Sequence, residues 1–254
     1  MIADLLRIAI CTPFLLYSCI SDWKTRRVSN KVWLILAIFA GIFAFYDLTQ
    51  SGLLSLFKLF FSTSLIFLFA YILFHLGAFG GADAKALIAI SLLIPSFPTL
   101  KFNSLMLPLS GTPILNLFAF STFGNAVILT IVVPIGLFIY NLRVLSLQEI
   151  KEKPLYLFIG YKCRVSELAN KHLRLLENHE LKNGAMVRKF KRGGIVIDEK
   201  VIKYLEELIR EGKIEDRVWV TPGLPFMLSI TAGFFAAIIY GDILFTIARA
   251  ITAR

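Results

Sequence analysis

The chain has 254 residues, of which 57% are hydrophobic and only 17% are charged, and its net charge is +10 at pH 7. Soluble domains carry about 25% charged residues, so this composition excludes an ordinary water-soluble globule, a disordered chain and a fibrous repeat. The charge is also concentrated, because residues 143–220 hold 17 of the 27 Lys and Arg residues. The composition therefore predicts an integral membrane protein with one polar domain inserted late in the chain.

Six apolar segments approach the length of about 20 residues that a transmembrane helix needs. We predict them, in chain order, at Leu5–Ile20, Val32–Tyr46, Leu53–Phe74, Ala84–Leu100, Ser121–Leu142 and Gly223–Ile247. The stretch Phe102–Phe120 is also apolar, but Pro108 and Pro113 interrupt it and favour a surface-lying loop over a seventh span. The predicted fold class is an all-α polytopic membrane protein with about six transmembrane helices and a small cytoplasmic α+β domain before the last helix.

The predicted domains are a membrane domain over residues 1–142 with helices 1 to 5, a soluble domain over 143–220, and the last helix over 221–254. Within the soluble domain we predict a strand over Leu155–Val165, a helix from Ser166 to about Glu180, a helix over Glu199–Glu211 and a strand at Val218–Val220. Asp198 is placed to cap the second helix and Gly212 to end it. His172 and His179 share one face of the first helix, but without a third ligand they do not predict a metal site.

The basic residues predict how the chain is oriented in the membrane. The first loop, over residues 21–31, carries four Lys and Arg residues, whereas the next turn carries none. Alternation from there places 22 basic residues on one side, which the positive-inside rule assigns to the cytoplasm. Because these residues stand beside apolar segments, they suit anionic lipid headgroups and not nucleic acid.

Acidic residues are rare near the apolar segments, and each one is costly in a membrane. The five are Asp4, Asp22, Asp47, Asp83 and Asp242. Asp22 and Asp83 follow the first span and open the fourth, so both are predicted at the cytoplasmic ends of their helices, whereas the other three are predicted near the outer face. Asp22 is also compatible with an ordinary interfacial carboxylate, and Asp83 with a helix N-cap.

The segment before Asp83 contains Gly77, Gly80 and Gly81. Glycines permit unusual backbone angles and the close approach of another chain, and the spacing of Gly77 and Gly81 also suits simple helix packing. Two carboxyl groups that meet share one proton, so the charged one can take a proton from water while the neutral one donates to a carbonyl oxygen. Peptide hydrolysis by this route requires no metal or other cofactor.

The segments Asp22-x-Lys24-x-Arg26-x-x-x-Asn30 and Gly80-Gly81-Ala82-Asp83-Ala84-Lys85 resemble the type IV prepilin peptidase family, and in particular its archaeal branch, the preflagellin (prearchaellin) peptidases. The resemblance extends over the whole chain. It implies a multi-pass GxGD aspartyl protease of the cytoplasmic membrane, with its active site facing the cytoplasm. It also implies that Asp22 and Asp83 are the catalytic pair and that Gly80 and Gly81 belong to the motif. We expect Lys24, Arg26, Asn30 and Lys85 to support the site.

The resemblance further implies the substrates, which are archaellins and pilin-like precursors with a short basic leader followed by a hydrophobic helix. The remaining partner that we expect is membrane lipid, and we expect no nucleic acid. The motif departs from strict GxGD because Ala82 stands at the second glycine. The cysteine-rich zinc segment of bacterial relatives is missing, and the three cysteines form no CxxC pair. That departure puts the bacterial N-methyltransferase activity in doubt.

Two other classes of function compete with this prediction. A small transporter or channel would use the two Asp residues as an ion or proton relay, but both are predicted at one face of the membrane and none at mid-span. A non-catalytic membrane receptor would use the basic insert to bind a partner, and the glycine-Asp segment would then serve packing alone.

Overall fold

A computed structural model of the chain describes residues 1–169, 173–182, 185–223 and 225–252. The helices, in chain order, are α1 (Ile2–Thr25), α2 (Asn30–Ser51), α3 (Leu53–His75), α4 (Gly81–Leu93), α5 (Phe118–Thr130), α6 (Val132–Val144), α7 (Leu147–Glu152), α8 (Tyr156–Ile159), α9 (Glu199–Arg210), α10 (Phe226–Ile239) and α11 (Ile243–Thr252). The strands are β1 (Leu100–Phe102), β2 (Leu105–Leu107), β3 (Tyr161–Arg164), β4 (Leu173–Lys182), β5 (Ala185–Val196) and β6 (Arg217–Pro222). The chain divides into two compact units, one formed by Met1–Thr130 with Pro225–Arg254 and the other by Ile131–Leu224.

Among the described residues, four helical stretches are long and apolar enough to cross a membrane. They are α1, α2, α3 and the 27-residue stretch Phe118–Val144, which combines α5 and α6. A fifth results if α10 and α11 count as one span, although they are bent by 60° at their break. The chain is therefore consistent with a polytopic membrane protein that has a sheet-containing domain towards its C-terminus.

The predicted span Ala84–Leu100 is shorter in the structure, because α4 has 13 residues and ends at Leu93. At 1.5 Å per residue it is about 20 Å long. Pro95 and Pro98 lack the N–H groups that would continue the helix. The chain then forms the antiparallel hairpin of β1 and β2, and α5 begins at Phe118, so the predicted loop over Phe102–Phe120 contains no spanning helix.

The predicted last span is interrupted where Gly241 adopts φ +112°. The side chain of Asn125, which is fully buried in α5, donates to the Gly241 carbonyl oxygen at 2.8 Å and accepts from the Ile243 N–H at 2.9 Å. Asp242 then caps α11 by accepting from the Phe245 N–H at 2.8 Å. The break between α10 and α11 is therefore stabilised by hydrogen bonds from neighbouring side chains.

The core of the first unit is formed by apolar side chains from α1, α2, α3, α4, α5 and α10. Its fully buried members include Leu15, Leu36, Ile66, Ile90 and Phe234. The outer surfaces of the helices remain apolar, and Phe57, Phe60 and Leu53 of α3 are more than 60% exposed. Such surfaces suit contact with lipid hydrocarbon.

The second unit contains a four-stranded antiparallel sheet with the strand order β3-β6-β4-β5. The apolar face of α9, with Leu205 and Leu208 buried, packs in a core with β3, β4 and β6. The predicted helix over Glu199–Glu211 is confirmed. The Asp198 carboxylate accepts from the Val201 N–H at 2.8 Å, and Gly212 follows with φ +69°. The predicted strand at Val218–Val220 is confirmed as part of β6.

Of two further predictions for the soluble domain, one is correct only in part and the other is wrong. The predicted strand Leu155–Val165 is divided into α8 and β3 at Gly160, where an added Cβ would lie 2.3 Å from the Val220 carbonyl oxygen. The predicted helix from Ser166 to Glu180 is a short 3₁₀ turn followed by β4. The backbone of β4 pairs with β5 on one side and β6 on the other. His179 therefore lies on a strand, and His172 lies outside the described residues.

Candidate active site

Asp22 lies in the last turn of α1, where it is half-buried. Its backbone carbonyl accepts from the N–H of Arg26, which ends the helix in a left-handed conformation with φ 57°. Its carboxylate lies near the Met227 N–H and is subject to the charge of Arg26. Met227 lies in the first turn of α10, where N–H groups have no partner within the helix. Asp22 therefore occupies a polar position at the junction of two helices.

Asp83 lies in the first turn of α4 and is 8% exposed. Its Oδ2 accepts from the Gly80 N–H at 3.0 Å, so the side chain caps the helix that carries it. A Cβ added to Gly80 would lie 3.0 Å from the same oxygen, whereas one added to Gly81 would meet only the Phe74 ring at 3.8 Å. The absence of a side chain at Gly80 therefore leaves room for the Asp83 carboxylate.

The backbone conformation at Gly77, and not the space beside it, favours glycine. It follows α3 with φ +70°, and its N–H donates to the Phe74 carbonyl at 3.0 Å. This is the left-handed position that ends many helices and that glycine adopts without steric cost. Within the described part of the chain, a Cβ at Gly77 would meet no atom within 4 Å. Close helix packing therefore does not account for this glycine.

The structure brings the two aspartates into one unit. Asp22 is at the C-terminal end of α1 and Asp83 at the N-terminal end of α4, and the two carboxyl groups are close enough to interact electrostatically. The segments that carry them are also joined directly, because Lys85 Nζ donates to Asn30 Oδ1 at 2.7 Å. Two acidic side chains 61 positions apart in sequence thus belong to one electrostatic site.

The four residues predicted to support the site, Lys24, Arg26, Asn30 and Lys85, differ in how they contact the two aspartates. Lys24 is exposed, and no described side chain forms an ion pair with it. Arg26 contributes its backbone N–H and its charge to Asp22. Lys24 is therefore at the border of the site, whereas Arg26, Asn30 and Lys85 contact the segments that carry the aspartates.

Sequence reasoning missed the contribution of α10. Cys19 Sγ, one turn before Asp22, lies 3.3 Å from the Met227 carbonyl oxygen and 3.2 Å from Thr231 Oγ1. These contacts fix the end of α1 against α10. The spacing of Cys19 and Asp22 places them on one helix face, but nothing in the sequence indicates that α10 is the helix they meet.

A second group of ionisable side chains lies in the other unit. Lys153 Nζ is paired with the buried carboxylate of Glu177. Burial and the neighbouring Glu177 raise the pKa of Tyr156 to about 12. Burial lowers the pKa of His179, and the positive charge of Arg188 on the paired strand adds to this effect. Both effects favour the neutral imidazole of His179, and its Nδ1 has no hydrogen-bond partner among the described residues.

No group of three or more His, Cys, Asp or Glu side chains in the described ranges is arranged to hold a metal ion. The acidic pair in the first unit is instead suited to acid–base chemistry, since two interacting carboxyl groups titrate as a pair and one can hold the proton that the other gives up.

Two segments of the chain match families of known peptidases. Residues 9–140, which include both aspartates, match the type IV leader peptidase family, and residues 152–243 match the archaeal peptidase A24 C-terminus type II. The chain is 27% identical over 237 residues to a protein of Methanocaldococcus jannaschii, 29% over 229 residues to one of Methanococcus voltae and 25% over 231 residues to one of Methanococcus maripaludis.

Each of these three relatives carries the name preflagellin peptidase. The alignments cover 90% of this chain and 91–92% of the relatives. The chain belongs to the type IV leader peptidase family and is an aspartic peptidase of the prepilin and preflagellin peptidase type.

Proposed function

We propose that the protein is a membrane endopeptidase that removes short basic leader peptides from archaellins and type IV pilin-like precursors at the cytoplasmic face. The observation that carries the proposal is that Asp22 and Asp83, which come from two separate helices, are near enough for the charge of one to act on the other. The preflagellin peptidases among its relatives support the class of substrate.

The proposed mechanism uses one ionised and one protonated carboxyl group from this pair. The ionised carboxylate takes a proton from a water molecule, which attacks the scissile carbonyl carbon, while the protonated carboxyl donates to the carbonyl oxygen. The tetrahedral diol then collapses as its C–N bond breaks: the leaving amine takes the proton that the first carboxylate accepted from water, and one diol hydroxyl returns its proton to the second carboxylate. The Gly80 N–H, which binds Asp83 Oδ2, fixes the orientation of one of the two reacting groups.

We further propose that the chain crosses the membrane six times, with α4 as the fourth span and α10 with α11 as the sixth. The basic first loop and the soluble domain then lie in the cytoplasm, together with both aspartates. The positive-inside rule supports this orientation. Because α4 is about 20 Å long against a hydrocarbon core of about 30 Å, Asp83 would lie slightly inside the membrane surface.

This location suits the proposed substrate. A precursor whose hydrophobic helix lies in the bilayer can approach from the side, with its basic leader on the cytoplasmic surface. The scissile bond, at the junction of leader and helix, would then lie at the depth of the two carboxyl groups. The lipid surface and the precursor are the proposed partners.

The test is cleavage of a precursor with a Lys- and Arg-rich leader by the purified protein, with the new N-terminus identified by mass spectrometry. We expect Asp22→Asn and Asp83→Asn each to reduce kcat by at least about 1000-fold, as expected when one member of a catalytic pair is removed. The matched control is Asp198→Asn, because asparagine keeps the helix cap of α9.

The control should cleave like the wild type, and all three variants should keep their thermal unfolding midpoint. Retained cleavage in Asp22→Asn or Asp83→Asn would remove that residue from the mechanism. Loss of cleavage on addition of a metal chelator would contradict the two-carboxylate scheme.

A further inference from the structure

A cavity of about 350 Å³ opens between the middle of α1 and the first turns of α2. Its walls are apolar and are formed by Pro13, Phe14, Val32 and Ile35. Pockets for small ligands have volumes of about 300–1000 Å³, so this cavity has room for part of one flexible apolar chain. An apolar cavity of this kind suits a hydrocarbon ligand.

The rim of the cavity is polar and positively charged. Tyr17, Ser29 and Lys31 line it. Lys31 is exposed, and no carboxylate in the described part of the chain pairs with it. Ser29 caps α2, with its Oγ 3.4 Å from the Lys31 N–H. The rim therefore presents a cation, a hydroxyl group and a helix N-terminus beside an apolar groove.

The loop next to this rim adds positive charge and is held in place. The Arg27 carbonyl oxygen accepts from Ser21 Oγ at 2.7 Å and from Thr25 Oγ1 at 3.1 Å. Lys24, in the last turn of α1, and Arg26, which follows the helix, add to this charge. A ligand at this rim therefore meets a basic environment, which favours an anionic group.

The cavity is separate from the aspartate pair. Tyr17 precedes Asp22 by five residues, which places the two side chains about 140° apart around α1. Asp22 faces α10, whereas Tyr17 is 53% exposed on the outer surface of the unit. A ligand in the cavity would occupy the surface of α1 and α2 that is available to lipid.

We propose that this cavity binds one phospholipid with an anionic headgroup, with the phosphate at Lys31 and Ser29 and part of one chain between Phe14 and Ile35. The positive charge of Lys31 and the apolar walls line the same cavity, as an anionic headgroup and its hydrocarbon chain require. Assignment of the lipid to the inner leaflet rests on the proposed orientation, whereas the binding itself does not.

The test is native mass spectrometry of the full-length protein in detergent, titrated with phosphatidylglycerol and, in parallel, with phosphatidylcholine. We expect a saturable adduct of one phosphatidylglycerol and weaker binding of phosphatidylcholine. Lys31→Gln should weaken phosphatidylglycerol binding about fivefold, the effect of one basic residue near an anionic lipid surface. Ile35→Trp should fill the groove and weaken binding of the same lipid.

Lys58→Gln is the matched control, because it removes one exposed positive charge from α3 outside the cavity. It should bind phosphatidylglycerol like the wild type, and the unfolding midpoint of each variant should stay unchanged. Equal binding by Lys31→Gln and the wild type would overturn the proposal. So would equal affinity for both lipids, or displacement of the lipid by inorganic phosphate. Precursor cleavage is measured in a separate assay, so a negative result for lipid binding does not affect the proposed peptidase function.

Discussion

Gly80 and Gly81 are adjacent but differ in the space that a side chain would have. Gly80 has φ −75°, which any residue adopts, so its importance is the space beside Asp83 and not its backbone angle. Gly81 has ordinary van der Waals room for a methyl group. Glycine is therefore required by steric contact at Gly80, whereas Gly81 has room for a small side chain.

This difference predicts that alanine lowers kcat at Gly80 but has little effect at Gly81. Gly80→Ala places a methyl group 3.0 Å from Asp83 Oδ2, so the carboxylate must move by a few tenths of an ångström. We expect kcat for precursor cleavage to fall about tenfold, because catalytic geometry tolerates little displacement. Gly81→Ala should stay within about twofold of the wild type. Equal kcat values in the two variants would contradict the steric role of Gly80.

His179 is a titratable residue outside the proposed mechanism. Its folded-state pKa is lowered by burial, first of all, and by the charge of Arg188, while Glu177 opposes the shift and Lys153 adds to it. The unfolded chain therefore binds more protons than the folded chain once the pH falls below the ordinary histidine pKa of about 6.5. The free energy of unfolding should then decrease as the pH is lowered from about 7 to 5.

We expect His179→Gln to have a shallower pH dependence of its thermal unfolding midpoint over this range than the wild type. His75→Gln is the control, since His75 is exposed and lies in the other unit, and it should keep the wild-type slope. The measurement is thermal unfolding of the detergent-solubilised protein at several pH values. An identical slope for wild type and His179→Gln would refute the prediction.

Between elements, the hydrogen bond from Lys85 to Asn30 joins the start of the second turn of α4 to the first residue of α2. The loop after Asp22 leads into α2, and Asp83 lies two residues before Lys85. The bond therefore links the two segments that carry the aspartates, although neither partner is itself an acid or a base in the proposed mechanism.

A double-mutant cycle tests this link. Asn30→Ala and Lys85→Met should each lower kcat/KM for precursor cleavage about two- to fivefold, because an exposed hydrogen bond contributes only about 0.5–1 kcal/mol. The kcat/KM of the double variant should equal that of the less active single variant, because the second change removes a contact that is already lost. Lys101→Met, in β1, is the control. Strictly additive losses would show that the two residues act independently.

At the scale of the whole molecule, the proposed orientation places the β1–β2 hairpin outside and α9 in the cytoplasm. A membrane-impermeant maleimide applied to intact cells should label Lys101→Cys but not Lys200→Cys, whose labelling should require permeabilised cells. Both lysines are exposed. The natural cysteines give little background, since Cys11 and Cys163 are buried and Cys19 is half-buried. Labelling of Lys200→Cys in intact cells would reverse the proposed topology.

The accuracy of the predictions differs between elements for physical reasons. The helix α9 was predictable because its cap, its apolar spacing and its terminal glycine all lie within one short segment. The strand β4 was not, because Glu177 and His179 are polar and are buried only through partners such as Lys153 and the neighbouring strands. The split at Gly160 depends on contact with Val220, 60 residues away.

The sequence by itself determined that this is a membrane protein, which residues form most of its apolar helices, and which two acids are candidates for catalysis. These follow from composition, segment length and local motifs, all of which act over short distances along the chain. Tertiary structure decided that Asp22 meets the start of α10, that Asn30 binds Lys85, and that the last apolar stretch breaks at Gly241. Each depends on packing between segments far apart in sequence, which no local pattern specifies.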